Sequence, residues 1–171
     1  MSDNIDFKKL FYYRTMERIH GEPTYNLLKN LKDRIKANAA SITSRLGGGA
    51  HGHLGLVLDP PIYANVSAVP YVRPLHPGDL NIPVAATARH ENGLREDHKR
   101  DLKLFHDTVD IEKDLKSQIV EAIDPIYLED LIDPTTKTIT QSIPDNFTYL
   151  FDTYCDVLQK RLQKRKNKLN Q

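Results

Sequence analysis

PTYNLLKNLKDRIKANAASITSRLGGG, residues 23–49, is the stretch on which the fold reading turns. Tyr25, Leu28, Leu31, Ile35, Ala39, Ile42 and Leu46 recur at steps of three and four, with Lys, Asp, Arg and Asn between them. That spacing draws one apolar stripe along a helix. Pro23 suits the first turn, where a missing N–H costs nothing. Gly47, Gly48 and Gly49 are expected to stop the run, because glycine accepts the left-handed conformation of a helix end.

Helical spacing continues outward from there. HLGLVL, residues 53–58, has the length and apolarity of a short strand, although a buried extended segment reads the same way. Asp59 and Pro60 resemble an N-cap and first helical position for a short helix through Ile62, Tyr63 and Val66. VPYVRPLHPGDLNIP, residues 69–83, holds four prolines and one glycine, so it is expected to run extended against the body. From Ala85 to His106 the chain is charged and helix-compatible, with Leu94, Leu102, Phe105 and Val109 as inward positions and Gly93 as a weak point. Asp110 begins a cleaner pattern in which Ile111, Leu115, Ile119 and Ile123 recur every fourth residue. Asp124-Pro125 restarts the chain as a short helix carrying Ile126, Tyr127, Leu128 and Leu131, and the turn DPTTKTIT follows. Ser142, with Asp145 three residues on, opens a last helix buried through Phe147, Leu150, Phe151, Tyr154 and Leu158. The pattern persists into LQKRLQKRKNKLNQ, which is expected to project and fray. The prediction is an all-α chain of five or six helices with one Gly/Pro-rich extended insert and at most a short strand. Its parts are an N-terminal arm or helix (1–20), a helical domain (21–157) and a basic tail (158–171).

The 171 residues suffice for one core of ordinary size, and a formal charge of +1 offers no global attraction to a polyanion. The lone Cys155 cannot close an intramolecular disulfide, which fits a reducing compartment. No signal-peptide core and no spanning apolar run is apparent, so a cytoplasmic protein without a membrane partner is expected. A nuclear address stays open, because KRLQKRKNK has the composition of an import signal.

The glycine loop is the first candidate for chemistry. A phosphate cradle needs glycines between a strand and a helix, followed by Lys-Ser/Thr. Here the glycines follow a helix, no such pair comes after them, and the helix presents its negative end. His51 and His53 would point to opposite sides of an extended backbone, so a metal site would need a third ligand from afar, such as His76 or His90. The simpler reading gives both imidazoles to loop backbone. No nucleophile elbow, carboxylate dyad or H-x-x-x-H pair is present, and Cys155 sits on an apolar helix side, where a thiol acts as a small hydrophobe. No catalytic residue, metal, cofactor or small-molecule substrate is assigned. Phe11, Tyr12 and Tyr13 are too clustered for one helix face and would pack on the core or on a neighbouring subunit. Lys160, Arg161, Lys164, Arg165, Lys166 and Lys168 form an acid-free cluster that would attract an RNA backbone without reading sequence, or else simply meet the helix C-terminal dipole. No aromatic residue stands among them to stack on bases.

Four strings carry a family resemblance: GEPTYNLLKNLKDRIKANAASITSRLGGGAHGHLGLVL, YVRPLHPGDLNIP, HKRDLKLFHDTVDIEKDLKSQIVEAIDPIYLEDLID and IPDNFTYLFDTYCDV. Together, from about Ile19 to Val157, they resemble the Gag-like capsid polypeptide of copia-type retrotransposons, in the branch with the NAASI-x-LGGG-x-HGHLGL signature. The resemblance implies a helical structural protein that assembles with copies of itself around RNA and performs no catalysis in this segment. It implies an architectural or assembly role for the loop that holds Gly47, Gly48, Gly49, His51 and His53. Cys155 stands where the resemblance implies glycine, which puts the turn after the aromatic helix in question. Relatives also continue into further helices and often a zinc knuckle, so an amino-terminal piece, a truncated copy and a domesticated descendant are all open. A small His-dependent metal hydrolase and a helical adaptor are the competing readings.

Overall fold

The computed structural model describes residues 5–155 and 157–170. The chain is all-α. Helices α1 (Tyr25–Ser41), α2 (Pro60–Tyr63), α3 (Ala88–Ala122), α4 (Ile143–Tyr154) and α5 (Val157–Leu169) follow in order, with single 3-10 turns between some of them. The β structure among the described residues is one antiparallel bridge, between Ile132 and Ile139. No helix among them is long and apolar enough to cross a membrane.

The predicted stripe of α1 is its buried face: Leu28, Leu31, Ile35 and Ala39 point inward. They meet Ile111, Leu115 and Ile119 of α3 and Phe147 and Leu150 of α4, while Leu128 and Leu131 close one side. Pro23 lies just before the first turn, and Thr24 caps α1, accepting from the Leu27 N–H at 3.4 Å. The helix also stops sooner than the glycines suggest. Ile42 is already extended (φ −92°, ψ 117°), and turning there buries its side chain. A later part of the loop returns over the helix end, where the His53 N–H donates to the Ala39 carbonyl at 2.9 Å. The freed helix carbonyl is thus satisfied by a residue beyond the three glycines, on the far side of the bend they make.

Four further expectations are corrected. Leu54–Leu56 of HLGLVL form a 3-10 turn rather than a strand, because the backbone must curl back beneath Tyr63 and Tyr71. The run from Ala85 and the run from Asp110 are one 35-residue helix, capped by Thr87, with Gly93 exposed in its interior. Val109 faces solvent at 39% exposure and Thr108 faces inward, its hydroxyl donating to the Leu104 carbonyl. Residues 125–127 make only a 3-10 turn. Ser142 caps α4 as expected, accepting from the Asp145 N–H at 3.3 Å. Cys155 breaks the chain between α4 and α5 in an extended conformation (φ −96°, ψ 127°), so this turn does not require glycine. The Leu158 side chain lies outside the described residues.

No residue of α3 before Thr108 is buried. That half carries its own ion pairs, including Arg95–Glu91 and Lys103–Asp107 at i,i+4 spacing. The proline-rich segment lies along it: Arg73 forms a two-pronged pair with Glu112, whose second contact is 3.2 Å, and His98 Nε2 bonds the Gly78 carbonyl at 2.7 Å. The segment forms neither helix nor strand, as its prolines require.

Candidate functional site

The glycine corner packs around two tyrosines. Tyr63, 2% exposed, donates its hydroxyl to the Gly47 carbonyl at 2.7 Å, and Ser67 donates to the same oxygen at 3.0 Å. A β-carbon on Gly47 would stand 2.2 Å from the Tyr63 oxygen, and its φ is +58°. Gly48 and Gly49 are exposed and carry the chain around the bend. Gly55 lies directly under the Tyr71 ring, where a β-carbon would sit 2.1 Å from Cγ. The loop therefore closes on side chains of its own fold.

His51 and His53 diverge. His51 Nε2 bonds the Val66 carbonyl at 3.0 Å, whereas His53 Nδ1 shares a 2.8 Å hydrogen bond with the Tyr71 hydroxyl. His76 stacks edge-on against Phe105, and His90 sits in the first turn of α3. Among the described residues, no three His, Cys, Asp or Glu side chains are grouped so as to hold a metal ion. His53 lines an open cleft of about 710 Å³ between the N-terminal arm, the corner and α3. The charged rim of that cleft is internally matched: Arg45 lies 3.7 Å from Asp101, and Lys103 pairs with Asp107.

Burial pushes His53 down from 6.5 to about 4, with Asp107 opposing weakly, so the imidazole is neutral at physiological pH. Tyr71 is pushed well above the usual phenol range, chiefly by burial, and stays protonated. The unfolded chain takes up the His53 proton near 6.5 and the native chain only near 4, so stability is full above 6.5 and declines as pH falls through that window. The expected loss is about 3 kcal/mol. The substitution His53→Asn should flatten this acid limb. Urea midpoints for both chains at pH above 6.5 and near 4 test it; equal acid losses would place the titration elsewhere.

At the other end of the chain, Arg161, Lys164, Arg165, Lys166 and Lys168 stand exposed on α5. The side chain of Lys160 lies outside the described residues. Arg161, Lys164, Arg165 and Lys168 follow helical spacing, so four charges share one side. Leu162 and Leu169 are also exposed, at 49% and 85%.

Sequence reasoning missed the most heavily bonded side chains. Asn38 and Gln118 are fully buried, and both grip the N-terminal arm. The Tyr13 N–H donates to Asn38 Oδ1 at 2.7 Å; Asn38 Nδ2 donates to the Tyr13 carbonyl at 2.9 Å and to Gln118 Oε1 at 2.7 Å. Gln118 Nε2 donates to the Tyr13 carbonyl at 3.0 Å. The available signal was an amide on an apolar stripe: Asn38 lies three residues after Ile35 and four before Ile42. Of the aromatic trio, Phe11 enters the core, Tyr13 is half-buried beneath the Arg34 guanidinium, and Tyr12 is 75% exposed.

Set against family models, curated proteins and solved structures, the chain matches none.

Proposed function

We propose that this chain is a self-associating, capsid-type structural protein of the Gag-like kind found in copia-type retrotransposons, and that its basic end holds RNA by charge alone. The observation that carries this reading is α5, which displays Arg161, Lys164, Arg165, Lys166 and Lys168 to solvent along a helix containing no acid. Such a surface attracts phosphates by releasing counterions and selects no sequence. The glycine corner supports the same reading, since its Gly47 carbonyl is held by Tyr63 and Ser67 and its His53 by Tyr71 and the end of α1. A scaffold needs that rigidity.

Light scattering against concentration and salt, with and without RNA, tests the assembly. Growth beyond the monomer is expected; a chain that stays monomeric throughout overturns the reading. The charge claim has its own measure. Six cations on single-stranded RNA, at ~0.7 per contact, give a slope of log affinity against log salt of about 4 at most. Deleting residues 158–171 should abolish that slope, and an unchanged slope would move the RNA surface to another face.

A further inference from the structure

We propose that the groove between α1 and α3 is a binding site for a peptide segment supplied by the N-terminal arm of a second copy, so that copies join by exchanging arms. This rests on the self-association proposed above and names its interface.

The arm, residues 5–20, has one 3-10 turn (Phe7–Leu10) and is otherwise irregular, so little of its order comes from its own hydrogen bonds. It is held by four buried side chains, Phe7, Phe11, Met16 and Ile19. Its central polar contacts are to main chain. Asn38 takes the N–H of Tyr13 and returns an N–H to the carbonyl of the same residue, and Gln118 adds donors to the carbonyls of Tyr13 and Arg14. At the far end the Ile19 N–H seals the Ala122 carbonyl at the end of α3, at 2.7 Å. Paired donor and acceptor contacts to one residue's backbone grip a peptide segment whatever its side chain, with apolar sockets supplying specificity.

None of these contacts distinguishes the chain's own arm from that of another copy. Every copy carries the same arm and the same groove, and exchange preserves all the bonds above. The part that must change is the tether. His20, Gly21 and Glu22 are exposed, and Gly21 has φ +76° with nothing within 4 Å of its β-carbon direction. Beside the tether, a hollow of about 330 Å³ separates Met16 and Ile19 from Leu27, Leu31 and Arg34 of α1. The tether therefore runs past a hollow, in exposed residues, just before it joins the body. Reciprocal exchange closes a two-fold dimer, whereas head-to-tail donation continues into a ring or filament.

Leu10 and Ser41 are both exposed, and the Ser41 hydroxyl lies 3.5 Å from the Leu10 carbonyl. The test uses the full chain with Leu10→Cys in one population and Ser41→Cys in another, mixed under mild oxidation. Linked peptides are identified by mass spectrometry, so the native Cys155 does not confuse the count. The mixture should give several-fold more linked dimer than Leu10→Cys mixed with Thr135→Cys on the distant 133–138 turn. The double variant Leu10→Cys/Ser41→Cys, which closes within one chain, should lose self-association when oxidised and regain it on reduction, with helical circular dichroism unchanged. Linking no greater than the control, or a locked chain that still associates, overturns arm exchange while leaving self-association standing. A reduced, unlocked chain that never associates overturns both.

Discussion

Replacing Gly52 with alanine is expected to cost about 3–4 kcal/mol, against about 1 kcal/mol for Gly78→Ala. Both glycines are left-handed, Gly52 at φ +54° and Gly78 at φ +72°, so both changes carry the strain of an L-residue in that region. Only Gly52 is crowded. A β-carbon there would lie 2.3 Å from the Ile42 carbonyl oxygen and 2.6 Å from that of Ala40. Those are backbone atoms at the end of α1, and they cannot swing aside as a flexible side chain does. To admit a methyl group the corner must lift off the helix end, which stretches the neighbouring His53 N–H bond to the Ala39 carbonyl. Urea unfolding of the two variants and the parent separates the terms, because Gly78→Ala measures left-handed strain alone. Equal, small losses would mean that the corner is not locked on α1. The same lift would expose His53 to water, so Gly52→Ala should also raise the pH at which that imidazole charges.

The helices were legible where burial follows local spacing. The α1 stripe, the Ile111–Leu115–Ile119 repeat and the Ser142 cap each depend on residues three or four apart, and each was readable. Two adjoining runs became one helix because Gly93 lies on an exposed face, where it costs helix propensity but breaks no contact. The glycine corner was legible as architecture but not in detail. Which glycine matters depends on partners distant in sequence: Tyr63 for Gly47, the end of α1 for Gly52, Tyr71 for Gly55. HLGLVL is ambiguous in the sequence for the same reason, since a short apolar run takes its form from what covers it. Histidine divergence was anticipated, though on the geometry of an extended backbone that the chain does not adopt there. The arm was the least readable part. Its aromatic cluster has no single periodicity, because its anchors answer to sockets on two helices separated by some eighty residues, as the Asn38–Gln118 bond shows.

The other large effect belongs to that bond. Asn38→Ala is expected to destabilise the chain by about 3–5 kcal/mol, since it leaves buried Tyr13 N–H and Gln118 Oε1 groups without their partner. Asn38→Asp should be no milder. It keeps an acceptor for the Tyr13 N–H but turns an oxygen toward the Tyr13 carbonyl and Gln118 Oε1, where Nδ2 now donates. Combined with Gln118→Ala, the loss should fall short of the two single losses added together, because either change alone already breaks the shared bond. Released from its clamp, the arm should lose its protection, so tryptic cleavage at Lys8, Lys9, Arg14 and Arg18 should be faster than in the parent. A stability within about 1 kcal/mol of the parent, with the arm still protected, would assign its anchoring to the apolar sockets alone. Set beside a shortened tether, the variant also tests the exchange. Asn38 grips an arm equally whether it comes from its own chain or another, so its loss weakens folding and association together. Shortening the tether by removing Gly21 and Glu22 penalises only the arm's return to its own groove, and should therefore raise association while the clamp stays intact.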